Sequence, residues 1–385
     1  MNGPSSTSEF RVNTYTISAQ AEPSVTGLND GGFVVTWHSY TPPTIPRDGG
    51  EHYDIYCQIY DSFGAAAGTE FRVNTLTESY QLSPEVTGLD NGGFVVIWHS
   101  HLHLYGQRYD SDGSRDGSEF TVVSNVNPNV WSVAKLDNGG FVVTWDNNWN
   151  TIHCQTYDSD GSSGSLVDVV SEFGYLSSVI GVVGGGFVVT WVATTKHYDS
   201  WDIYYKIYDS SANAASSNIK VNTSTALKRD PSITTLNNGS IVIVWHAQGD
   251  DANNTSGWGI YGQIYDSTYN LVGINFLVNT ETQQRQQRQP SVTGINNGGF
   301  VVTWHSNLPD TDGYGIYGQL YDLIGNTIGD EFKVNTYFDL DQSFPSVTGL
   351  KDARFVITWQ SYGQDGSDNG IYGKIYDSII FEPEP

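Results

Sequence analysis

Basic residues are scarce in this chain of 385 residues: 17 Lys and Arg stand against 42 Asp and Glu, a formal net charge of −25. That imbalance excludes nucleic acid as a partner, because its phosphates would be repelled. It also excludes docking on an anionic membrane. Sulfur is nearly absent, with two Cys and one Met. Cys57 and Cys154 hold equivalent places in segments of the same kind, IYCQIYDS and IHCQTYDS. Equivalent places two repeat units apart do not come within the ~6 Å Cα separation of a disulfide. Both are expected to be small buried fillers. No apolar run approaches the ~20 residues of a membrane helix. The N-terminal MNGPSSTSEF lacks the basic and apolar regions of a signal peptide, so a secreted protein would be represented here by a mature chain or an excised piece. A sustained helical period is missing throughout.

What is present is repetition. GGFVVTW and its variants end at Trp37, Trp98, Trp145, Trp191, Trp245, Trp304 and Trp359, 46 to 61 residues apart. A segment like IYGQIYDS follows each, with Tyr-Asp pairs at Tyr60-Asp61, Tyr109-Asp110, Tyr157-Asp158, Tyr208-Asp209, Tyr265-Asp266, Tyr321-Asp322 and Tyr376-Asp377. EFRVNT-like and PSVTGL-like segments complete the unit. Each unit thus holds four short runs rich in Val, Ile, Phe, Tyr and Thr, separated by Asn, Asp and Gly, which is the pattern of strands joined by tight hairpins. Four strands in a repeat of this length predict a propeller blade, whereas a solenoid would need atypical caps at both ends.

The ends match. The chain opens with Glu9-Phe10-Arg11-Val12-Asn13-Thr14, a fourth strand with no third before it. It finishes its seventh unit at the third strand, Ile371–Ser378, with no fourth after it. Pairing the two leaves no open sheet edge at the seam. The predicted fold is therefore all-β: one seven-bladed β-propeller over 1–385, four antiparallel strands per blade, with blades near 21–75, 82–125, 130–171, 178–223, 230–280, 290–336 and 345–378 plus 9–14.

These GGFVVTW, IYGQ-x-YDS and EF-x-VNT units resemble the tandem repeats of very large secreted or surface proteins, notably RTX-type adhesins, over Glu9 to Ser378. The resemblance implies an extracellular or cell-surface, adhesive or structural setting, and carries over no catalytic residue. The GGxGxD calcium repeats that accompany such units in the adhesins are absent from this chain.

A residue repeated in all seven units serves the blade, because one binding site needs it only once. The seven Trp are therefore expected in the core, and the Tyr-Asp aspartates at hairpin turns. His38, His99, His246 and His305 each follow a repeat Trp; with no acid seen at a fixed spacing, a hydrogen-bonded role is expected. Loops between second and third strands vary most, from 39–54 in the first unit to 247–259 in the fifth, and they share one face with the connections between units. Function concentrates in such loops. On that face, Tyr53, Trp201, Trp258 and Tyr314, with Asn369 in the last unit, precede the Ile of the third strand by two residues. Rings beside Asn and Asp suit sugars, with packing against neighbouring loops as the alternative. Asp250, Asp251, Asp310, Asp312, Asp365 and Asp368 sit in the same loops. Calcium is the metal their oxygens would suit; solvated acidic loops are the alternative, and no other cofactor is implied.

Catalytic motifs are missing: no G-x-S-x-G, no H-E-x-x-H and no arginine cluster such as an acid-sugar hydrolase needs, since the nine Arg are scattered in sequence. The expectation is a non-catalytic extracellular binding or adhesion module that holds a glycan or a surface protein. The alternatives are a structural subunit that self-assembles and, third, a glycoside-active enzyme.

Overall fold

The computed structural model describes residues 4–41, 52–77, 79–148, 150–170, 173–194, 201–248, 257–280, 286–296, 298–307 and 313–377. Among them the Val- and Tyr-rich runs form seven four-stranded antiparallel sheets, each wound in chain order except the last. In that one Phe10–Arg11 pairs with Asn369–Tyr376, in the register Phe10 to Gly373 and Arg11 to Tyr372. Val12 N–H donates to the Ile371 carbonyl at 2.8 Å and extends the seam. The chain is a seven-bladed propeller closed by its own N-terminal strand.

Each hydrophobic cluster draws on two neighbouring blades, so the core lies between sheets. Trp37, Val35 and Tyr60 of the first blade pack with Val12, Val356 and Ile371 of the last. All seven repeat Trp are 0–2% exposed. The Phe of GGF stacks on the Tyr of Tyr-Asp in six blades, as in Phe355 on Tyr376 at 4.8 Å and 4°. Burying such a side chain contributes roughly 1.5–3 kcal/mol.

The remaining repeat residues are explained by hydrogen bonds. Asn13, Asn74, Asn222, Asn279 and Asn335 of VNT are buried, and the side-chain oxygen of each accepts the N–H of a third-strand Ile at 2.7–2.8 Å. A side chain thus continues the ladder where the fourth strand ends. The Glu of EF accepts the N–H of the VNT Thr in the preceding blade: Glu9 from Thr336, Glu70 from Thr14, Glu119 from Thr75 and Glu331 from Thr280. Asp61, Asp209, Asp266 and Asp322 accept backbone N–H groups within their own turns, as expected. Cys57 and Cys154 are free and fully buried, and burial pushes both thiols up. The inner strands crowd the axis, where a Cβ on Gly27, Gly88 or Gly349 would lie 2.4–2.7 Å from a carbonyl oxygen of the adjoining blade.

Candidate functional site

The site begins with a backbone irregularity. In six blades the register between the first two strands slips, between Ala21 and Ser24, Leu82 and Glu85, Tyr175 and Ser178, Arg229 and Ser232, Arg288 and Ser291, and Ser343 and Ser346. At each slip one residue takes a left-handed backbone: Glu22, Ser83, Leu176, Asp230, Gln289 and Phe344, with φ of 48–55°. That conformation costs a side-chain-bearing residue about 1–2 kcal/mol, and a bulge re-aims the side chain it carries. All six line the axial channel, a cavity of about 400 Å³.

Four of them, Leu176, Asp230, Gln289 and Phe344, also wall a pocket of about 640 Å³ between the fourth and seventh blades. Its rim comes from second-strand ends (His246, His305), third-strand starts (Trp201, Tyr314), the first-strand residues Arg229 and Arg288, and Asp341 between the last two blades. It opens on the loop-rich face. The guanidinium of Arg229 lies 4.4 Å above the ring centre of Trp201, and that of Arg288 lies 5.2 Å from the ring centre of Trp258. His246 meets Trp258 edge-on at 4.7 Å, and His305 lies 4.7 Å from Tyr314. Aromatic rings and side-chain cations thus alternate around one arc of the ring.

Burial shapes the titration of the pocket. Asp230 is pushed up to about 6 by desolvation, against the pull of Arg229 and Arg288. His246 is held well below the usual imidazole range by burial and then by Arg288, His305 and Arg229; His305 is lowered to about 4 by burial and Arg288. Both imidazoles are therefore neutral at pH 7. Asp230 Oδ2 lies 3.4 Å from His246 Nδ1, and Asp341 Oδ1 accepts the Tyr314 N–H at 3.0 Å. A carboxyl with a raised pKa and a second carboxyl in one cleft can serve as proton donor and as base or nucleophile.

The structure gathers only some of the expected residues. Trp201 and Tyr314 line the pocket and Trp258 carries Arg288 beside it; all three are more exposed than the repeat Trp. Tyr53 stands on the first blade with Tyr40 and Tyr80, at 5.5 and 5.8 Å, and Asn369 pairs with Tyr362 on the seventh. Asp250, Asp251, Asp310 and Asp312 lie outside the described residues. Asp365 accepts the Ser367 N–H at 3.2 Å, and the Asp368 backbone carbonyl accepts the Gly363 N–H. Among the described residues no three His, Cys, Asp or Glu side chains are grouped to hold a metal ion.

Two features escaped the sequence reading. An acid stands 16 residues before two of the four histidines, Glu22 before its partner His38 and Asp230 before His246, while Ser83 and Gln289 hold that place before His99 and His305. The arginines, far apart in sequence, do meet: Arg229 and Arg288 hold the same repeat position, in KRDPSIT and QRQPSVT, on adjacent blades. Aligning that column of the repeat was the available signal.

No protein-family model and no curated protein matches the chain. Solved structures do. A protein of unknown function from Dyadobacter fermentans is 11% identical with a TM-score of 0.61, over 98% of this chain and 100% of that one. The Dos1 propeller is 12% identical at 0.50, over 96% and 94%. NanB sialidase from Streptococcus pneumoniae is 11% identical at 0.49, over 95% of this chain and 70% of that one. Others include an endo-arabinase from Bacteroides thetaiotaomicron and an alpha-L-arabinofuranosidase from Fusarium graminearum, with TM-scores of 0.40 and 0.47.

The expectation of a protein without enzymatic activity is corrected by this finding: most of these similar structures are carbohydrate-active enzymes. Identities of 10–13% show the fold alone, so an activity must come from the pocket's own residues.

Proposed function

We propose that this propeller is carbohydrate-active, seating a sugar residue in the pocket between the fourth and seventh blades and cleaving its glycosidic bond. The observation that carries the reading is Asp230, a carboxyl held partly protonated near neutral pH inside an aromatic-walled pocket that also contains Asp341. Glycoside hydrolysis needs two such groups: an acid to protonate the leaving oxygen, and a carboxylate to activate water or attack the anomeric carbon. Asp230 fits the acid, because its side chain lines the cleft and desolvation raises its carboxyl to about 6. Asp341 is exposed and fits the second role. Trp201 and Tyr314 supply apolar faces for a sugar ring. The glycan hydrolases among the similar structures agree with this chemistry. The extracellular setting implied by the repeats, and a surface polysaccharide as partner, belong to the same proposal.

The test is reducing-end release from a panel of polysaccharides and oligosaccharides. Asp230→Asn and Asp341→Asn are each expected to lower turnover by about 100-fold or more, the scale of removing a general acid or base. Turnover by both variants at the wild-type rate would sink the reading.

A further inference from the structure

The arginines say something more specific about what sits in the pocket. Among the described residues neither Arg229 nor Arg288 is in an ion pair with a carboxylate, although acids outnumber bases by 25 across the chain. Each guanidinium instead lies near an aromatic ring of the preceding blade, Trp201 and Trp258 respectively. A stacked guanidinium is fixed in orientation while its N–H edge stays available, the arrangement suited to a planar or tetrahedral anion. Arg288 donates to Gln286 Oε1 at 2.5 Å, yet its Nε is buried without a partner. The buried Nδ1 atom of His305, which lines the same pocket, also makes no hydrogen bond. An unmet buried donor is costly, by the scale of a lost hydrogen bond, and a ligand oxygen would relieve it.

We propose that the saccharide unit seated here is anionic, carrying a carboxylate or a sulfate that Arg229 and Arg288 grip from adjacent blades. This rests on the carbohydrate reading above and narrows its substrate class. The chain's net charge points toward neutral or cationic ligands, but charge decides recognition locally: the pocket sets two guanidinium groups beside Asp341 and Asp230, and desolvation raises the Asp230 carboxyl to about 6. The long-range acidic field then slows the approach of highly charged polymers and favours sparsely charged ones.

Titration calorimetry would compare three matched oligosaccharides: a neutral parent, its uronate form and its sulfate ester. The expected result is that one or both anionic forms bind about tenfold or more tightly than the parent, the scale of a charge-assisted hydrogen bond. The uronate and sulfate arms identify which anion is used. Arg288→Gln and the exposed Arg229→Gln should each collapse the anionic-to-neutral ratio toward one, with melting temperatures confirming that the variants fold. Equal binding of neutral and anionic forms, or a preference that survives both substitutions, overturns the inference and leaves the carbohydrate reading standing. If no saccharide of either kind binds, both fall.

Discussion

Trp37 is 1% exposed and packs against Val35, Val356 and Ile371 across the seam between the first and last blades. Trp258, in the same kind of chain segment as Trp201 and Tyr314, is only half-buried and covers Arg288 from outside. Trp37→Ala should therefore cost roughly 3–5 kcal/mol of stability as a large core deletion. Trp258→Ala should cost about 1 kcal/mol or less, as a surface change. Equal losses in denaturant titrations would place Trp258 in the core. Asp230 gives a pH test. Its folded pKa, near 6, lies above the ~3.9 of an unfolded Asp. Stability from the neutral form is complete below pH 4 and lost as pH rises through 6. Asp230→Asn should thus match wild type in stability at pH 4 and exceed it at pH 7. Since 36% of the side chain meets solvent, the gain is at most about 1 kcal/mol. A difference that stays flat between pH 4 and 7 would mean that burial does not govern this carboxyl.

At the level of elements, the N-terminal strand does more than its two paired residues suggest. Val12 is 2% exposed, and Asn13 ties the Ile371 N–H at 2.7 Å while its own amide donates to Gln20 and to the Tyr15 carbonyl. Outside the strand, Thr7 N–H bonds the Ile375 carbonyl and Glu9 takes the Thr336 N–H of the sixth blade. Removing residues 1–14 strips these contacts, exposes the edge of Asn369–Tyr376 and uncovers Val356 and Trp37. One buried aliphatic side chain plus several hydrogen bonds amounts to about 5 kcal/mol. A calorimetric melting temperature lower by several degrees is expected, and a truncated chain that melts like the full one would contradict closure through this strand. The strand itself was legible because Glu9–Thr14 repeats a segment seen intact in other units. Its brevity was not, because Asn13, Asn74 and Asn222 replace ladder bonds with side-chain bonds that a periodicity of apolar residues does not register.

Across the whole molecule, recurrence sorted scaffold from site: residues filled alike in every unit proved to be core, turn or seam, from the seven Trp to the Tyr-Asp aspartates. The blade count, the four strands, the closure and the loop-rich face were legible in the residues, because each depends on local patterns that repeat and so corroborate one another. It also marked Trp201, Trp258 and Tyr314 as a recurring aromatic place. Which of these belong together depends on how the blades meet around the ring. Tyr53 fell on the first blade with other tyrosines, whereas Trp201 and Tyr314 reached one pocket with Arg229, Arg288 and Asp341, residues up to 140 positions apart brought together by curvature of the ring. Asp230 illustrates the same division. Its identity is visible before Pro231, but its raised pKa arises from desolvation in a pocket whose walls other blades supply. Local pattern specifies the blade, and the chemistry of the pocket is set by desolvation and charge across blades, which exist only once the ring has closed.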